Sequence, residues 1–316
     1  MKEVFKNLNK GEKDMKKVFK NHQERVGNTP IVRWGMYRDV EIFLKLEGTN
    51  PTGSLKDRSA LAIIKNKLEN GELKKGMRLL DASSGSFACS MAYFGNRFGF
   101  KSVVVVNKKL TRINDMFLQG QEAEIIHYGD VTGDGYRRCL EMIQESPGKY
   151  CFLDQLNNWA SPQAHYDSTA PEIIEAMPDV DFIAASMGSG ATLCGISTFI
   201  NEKKPEVKII ASNGKMGGKK IAGTFVEGPD YITPFIKSLQ EKKLIDFIGY
   251  VSYEQAINHV RQDLMTKGFN VGPQTGGVFE AVIQAIDTLN LRGNLVIISG
   301  DHSWKNMDKL FPEMFS

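Results

Sequence analysis

The stretch Asn50-Pro51-Thr52-Gly53-Ser54-Leu55-Lys56-Asp57-Arg58-Ser59-Ala60 decides how this chain is read. It lies between a strand-like run, EIFLKLEG, and a helical run, DRSALAIIKNKLENG. Asn50, Pro51, Gly53 and Ser54 are turn formers that fix backbone direction. Lys56 therefore stands where a chain leaves a buried strand and enters a helix. A lysine held there is shielded from water. Desolvation lowers an amine's pKa and frees its lone pair for attack on a carbonyl.

Outward from that turn, strands and helices alternate. Strand-like runs fall at 41–47, 78–83, 102–107, 123–128, 181–187, 207–213 and 294–300. Helical patterns lie between them, among them SFACSMAYFGNRFG, INDMFLQG, GYRRCLEMIQES, QAHYDSTAPEIIEAM, SYEQAINHVRQDLMTKG and GGVFEAVIQAIDTLNLRG. Several strands, such as SVVVVN, are continuous β-branched runs, the mark of a sheet buried on both faces. The fold class expected is α/β with mostly parallel sheets flanked by helices.

Three further segments repeat the strand, turn, helix design. ASMGSGATLCGIS carries small residues from Gly188 to Ala191, so backbone N–H groups can converge on an anion ahead of a helix. Thr192 adds a hydroxyl. A dinucleotide site fits poorly, because no acidic residue ends the next strand, KIIASN. DASSGSFACSMA offers another set of free amides at a helix start, around Ser83 to Phe87. FNVGPQTGGVFEA brings Gln274 and Thr275 to the head of a helix.

These segments resemble, in order and over roughly residues 24 to 312, the cysteine synthase and cystathionine β-synthase family of fold-type II pyridoxal-phosphate (PLP) enzymes. NPTGSLKDR resembles the family's Schiff-base segment, which implies that Lys56 holds PLP. GSGATLCG resembles its GTGGTLTG phosphate loop, implying a cradle of Gly188, Ser189, Gly190, Ala191 and Thr192. SSGSF resembles its TSGNT loop, so Ser83, Ser84, Gly85 and Phe87 would meet the substrate carboxylate and Ser86 the cofactor hydroxyl. Here Ser86 stands where the family has Asn, and Phe87 where it has Thr. DQLNNWASPQAHYDSTAPEI resembles QFxNPANPxxHxxTTGPEI, which carries over Gln155 as a carboxylate contact. His165 on that stretch is read as structural, and no neighbouring residues suggest a metal. GPQTGG takes the place of GISSGA, so Gln274 or Thr275 would face the pyridine nitrogen.

The resemblance implies a two-domain architecture like the β subunit of tryptophan synthase. A terminal arm would span 1–24 and a crossover segment 25–48 would pack with the larger domain. The smaller domain would be 49–158, and the larger, with the phosphate loop, 159–316. The implied reaction is β-replacement or β-elimination on a serine- or cysteine-derived amino acid through an α-aminoacrylate, with an altered substrate loop. An ordinary O-acetylserine sulfhydrylase, and a non-catalytic relative that binds a partner, are the alternatives. A homodimer with a small amino-acid substrate is expected.

Composition narrows the class. Forty basic and 37 acidic residues leave a net charge of +3, which gives no case for a nucleic-acid partner. Apolar runs are broken by charges well before the roughly 18 residues a membrane span needs. The start, MKEVFKNLNKGEKDMKKVFKNHQER, has no apolar signal region. Val4, Phe5, Leu8, Met15, Val18 and Phe19 form weak stripes among lysines, read as a solvated or partner-packing arm. Cys89, Cys139, Cys151 and Cys194 form no CxxC pair, so buried reduced thiols in a cytoplasmic protein are expected.

Overall fold

The computed structural model describes residues 19–314 apart from 84, 108–109, 131, 222 and 225–231. The terminal stripe from Val4 to Val18 and the candidate Ser84 lie outside the described residues. Ten strands are found among them: β1 (Ile31–Tyr37), β2 (Val40–Leu46), β3 (Arg78–Ala82), β4 (Ser102–Val106), β5 (Glu124–His127), β6 (Tyr150–Phe152), β7 (Phe182–Ser186), β8 (Lys208–Gly214), β9 (Phe247–Val251) and β10 (Gly293–Ser299). The principal helices are α1 (Lys56–Glu69), α2 (Ser86–Arg97), α3 (Arg112–Gly120), α4 (Thr132–Glu145), α5 (Ala160–Ala164), α6 (Ala170–Ala176), α7 (Ala191–Lys203), α8 (Pro234–Glu241), α9 (Tyr253–Lys267) and α10 (Pro273–Leu289).

The strands form two sheets, ordered β1-β2-β10-β7-β8-β9 and β5-β4-β3-β6. All ladders are parallel except β1 with β2. The architecture is thus α/β with parallel-dominated sheets. In the four-stranded sheet every residue of β4, SVVVV, is buried. Val104 and Val106 face α1 and α2, while Val103 and Val105 face α4. The six-stranded sheet does the same, with Ile183 and Ala185 against α7 and Ala184 against α10. This two-sided burial is why those strands read as unbroken apolar runs.

β1, β6 and β9 were not legible as strands, and all three are sheet edges. β1 and β9 are partly solvated edges that carry no continuous apolar run, and β6 is only three residues long. The helical pattern over 163–177 is split: α5 and α6 are joined by one π-helical turn, His165–Thr169. That extra residue lets His165 Nδ1 meet the Thr169 hydroxyl at 2.8 Å.

α7 crosses this turn at a glycine. A Cβ on Gly195 would penetrate the Pro162 carbonyl oxygen and stand 2.8 Å from the His165 Cβ. Neither backbone has room to yield. Gly195→Ala should therefore destabilise the protein by about 1–3 kcal/mol, read as a lower urea midpoint at unchanged slope.

Candidate functional site

The site is built at the carboxyl ends of the strands, where parallel sheets leave helix N-termini and turns facing one another. Lys56 opens α1. Its backbone N–H donates to Ser54 Oγ at 3.2 Å. Burial lowers its amine to about 8, and no carboxylate offsets that shift. An amine so placed is a free base far more often than a surface lysine.

The turn ahead of Lys56 is fixed from several sides. Thr52 gives its N–H to Asp57 Oδ2 at 2.7 Å and its hydroxyl to Oδ1 at 2.6 Å. Ser90 of α2 also donates to Asp57 Oδ1, at 2.6 Å. Burial raises the Asp57 pKa, against the hydrogen bonds of Ser90 and Thr52 and the charge of Lys305. Ser90 is further tied to the Ser86 carbonyl at 3.0 Å, so Ser86 and Lys56 share one scaffold.

Gly190 caps α7 with a left-handed φ of 86°, a conformation that glycine adopts without strain. The amides at the head of α7 carry the positive end of the helix dipole, and that of Ala191 also donates to Ser189 Oγ at 3.5 Å. Thr192 Oγ1 lies 3.2 Å from His165 Nε2. Burial, then the charge of Arg58, lowers His165 to about 3, so the ring is neutral at physiological pH. Lys56 adds to that depression, which places the amine, His165 and Thr192 in one neighbourhood. His165 is structural in the sense that it orients the Thr192 hydroxyl.

Gln274 spans the same region. Its side-chain amide fills the space a Cβ on Gly223 would take, and its Oε1 lies 3.8 Å from the corresponding position on Gly300. Gly223 in turn abuts Gly188, and Gly300 abuts Leu55. Gln274 thus links the phosphate-type loop to the Lys56 turn. Thr275 is fully buried and donates to Ser299 Oγ at 3.2 Å, beneath the site.

The 83–87 loop divides its work. Ser83 Oγ accepts the N–H groups of Gly85 and Ala88, capping α2 internally. Phe87 is 2% exposed and its ring packs in the core around α1 and α2. What Phe87 can offer a ligand is its backbone N–H. Gln155 gives its side-chain amide to the Ala82 carbonyl at 2.8 Å and its backbone N–H to Asp81 at 3.0 Å. Asp81 is wholly buried, and burial raises its pKa well above the ordinary carboxylate value. Gln155 therefore supports the loop from below.

The residues that hold the turn, Asp57, Thr52, Ser90 and Lys305, share no motif in the sequence. Asp57 was in plain view beside Lys56, but its partner Ser90 is a residue of another helix. Lys305 carried no signal at all. Two absences hold among the described residues: no cluster of ligands that could hold a metal, and no helix long and apolar enough to cross a membrane. The four cysteines are free and buried.

Comparison with known proteins fits this geometry. The family described as "Pyridoxal-phosphate dependent enzyme" matches residues 22–300. The O-acetylserine dependent cystathionine beta-synthase of Bacillus subtilis is 27% identical, over 90% of this chain and 95% of that protein. Cysteine synthase B of Escherichia coli is 30% identical, over 88% of this chain and 90% of its own. Among solved structures, the cysteine synthase of Entamoeba histolytica superposes with a TM-score of 0.84 at 25% identity, covering 96% of this chain and 93% of that one.

Proposed function

The chain belongs to the pyridoxal-phosphate dependent enzymes, and on that premise we propose that it replaces or eliminates the β-substituent of a serine- or cysteine-derived amino acid. The carrying observation is the Lys56 amine, lowered to about 8 by burial in the turn that Asp57 and Thr52 fix at the head of α1.

The residues present fit the cofactor. Lys56 would hold its carbonyl carbon, and the amides of Gly188 to Thr192 its phosphate, with the Thr192 hydroxyl turned by His165. Gln274, which packs against Gly223 and lies near Gly300, would face the ring nitrogen, a role that Thr275 beside it could also fill. When bound, pyridoxal phosphate supplies an electron sink for the charge left at Cα. The remaining work belongs to the chain. Amides of the 83–87 loop bind the substrate carboxylate at the head of α2. The Lys56 amine takes the Cα proton. The Cβ bond to the leaving group breaks, and the departing group takes the electron pair. A nucleophile adds at Cβ, and the Lys56 ammonium returns its proton to Cα.

Ser86 and Gln274 depart from the resemblance at the substrate loop and the ring, and they support a donor other than O-acetylserine; Phe87, whose ring turns into the core, does not bear on that choice. The test is turnover of a panel of O-acetylserine, O-phosphoserine, serine and cysteine, with sulfide or a second thiol, followed by mass spectrometry. Preference for another donor by tenfold or more is expected. Efficient use of O-acetylserine and sulfide would make it an ordinary sulfhydrylase. No turnover of any donor would sink the proposal in favour of a binding protein.

A further inference from the structure

We propose that Lys305 is a positioning residue for Lys56: its ammonium reaches in from the segment after β10 and clamps the Thr52 peptide, fixing the turn that aims the reactive amine. This rests on Lys56 being the cofactor lysine.

Lys305 sits in a 3-10 turn, Ser303–Asn306, and is 2% exposed. Its Nζ donates to the Thr52 carbonyl at 3.1 Å. The opposite side of Thr52 gives its N–H to Asp57. One residue is therefore gripped by a cation at its carbonyl and a carboxylate at its amide. Hydrogen bonds with one charged partner are about twice as strong as neutral ones.

The same segment makes two more contacts with the turn. Leu55 N–H donates to the Gly300 carbonyl at 2.8 Å. Ser54 forms an isolated antiparallel bridge with Asp301. Residues 52, 54 and 55, three of the four that precede Lys56, are thus each held by residues 300–305. The side chain of Lys305 also runs under Gly53, where its Cδ is 3.7 Å from the position of a Cβ. The direction of Lys56 is set by the far end of the chain as much as by α1.

Burying an ammonium is expensive, and a neutral donor could satisfy one carbonyl. The charge has a use here: burial raises the pKa of two carboxyls, Asp57 of α1 and Asp301 of its own segment, and the Lys305 charge opposes that rise at both. Cys89 of α2 also lies in its field, and the Trp304 ring lies 5.9 Å away.

The test uses holoprotein of the wild type and of Lys305→Met, Lys305→Gln and Lys305→Arg. Cofactor trapped on the Lys56 peptide by borohydride is measured by mass spectrometry, beside total cofactor, kcat and KM. Both neutral variants should fold and keep their total cofactor. Their trapped fraction and kcat should fall roughly tenfold or more, the scale of a small misplacement, with a lesser change in KM. Lys305→Arg should recover most of the loss. Wild-type trapping and kcat with only a lower melting temperature would overturn the proposal. So would neutral variants that do not fold, since a positioning role requires a folded protein. Absence of trapping at Lys56 in the wild type would instead sink the cofactor-lysine reading.

Discussion

Lys56→Met is expected to lower turnover by about 10³-fold or more, while making the cofactor-free protein more stable. The first effect follows from losing the base at Cα, a contribution of roughly 10²–10⁴ in such reactions, together with the covalent hold on the cofactor. The second follows from burial. The folded-state amine is near 8, below the roughly 10.4 of an unfolded lysine. Between those values the unfolded chain binds more protons, so wild-type stability rises with pH across that window. Below pH 8 the cost of burying the ammonium is fully present. Methionine keeps the volume and removes that cost, worth about 1–2 kcal/mol after allowing for the partial exposure of the side chain. Urea unfolding of both cofactor-free proteins at pH 7 and pH 10.5 checks this. The variant should lead at pH 7 and lose its lead at pH 10.5. A variant less stable than wild type at pH 7 would show that the amine is paired after all.

Arg58→Met should be the most damaging change to stability, costing about 3–5 kcal/mol. Arg58 lies two residues after Lys56 on α1 and is almost wholly buried. Its guanidinium makes paired bonds to Glu47, at 2.7 Å each, and to Glu172, at 2.7 and 2.8 Å. Lys45 adds a bond to Glu172 at 2.7 Å. Thr29 donates to Glu47 at 2.6 Å and Asn50 at 3.0 Å. Removing the guanidinium leaves Glu47 buried without its main partner. Burial alone would raise Glu47, but the charge and hydrogen bonds of Arg58 and the charge of Lys45 outweigh it and hold the carboxyl low. Glu172 follows the same balance and sits at about 2. Because these carboxyls are depressed in the folded state, their stabilisation is present above the unfolded value of roughly 4.3. It is lost as pH falls through about 2. The difference between wild type and Arg58→Met should therefore narrow as pH falls below about 4.3. Calorimetric or urea unfolding across that range tests it, and the double variant Glu47→Gln with Arg58→Met should recover part of the loss. A single variant within about 1 kcal/mol of wild type would mean that the network holds nothing.

The network also explains why the quoted stretch is so informative. Glu47 ends the strand-side run, Arg58 in the first turn of α1 bonds it, and Asn50 within the turn donates to it as well. Local sequence therefore encodes most of the geometry that carries Lys56. Glu172 and Lys45 complete it from elements that no local pattern connects to it.

The sequence by itself determined the α/β class, the placement of Lys56 at a strand-to-helix turn, and the glycine-rich loop before α7. Each is a property of a short stretch: β-branched runs, turn formers, small residues at a helix start. The edge strands β1 and β9 were not readable because half-solvated strands need no apolar run, and β6 because it is three residues long. Only the tertiary structure decided that Phe87 turns into the core, that Ser83 caps its own helix, and that Thr275 hides beneath the site while Gln274 spans it. It alone brought Ser90 to Asp57, His165 to Thr192 and Lys305 to Thr52. Those pairs are 33, 27 and 253 residues apart. Their attraction is between side chains whose meeting depends on how the sheets and helices pack, and packing is not written in any one segment.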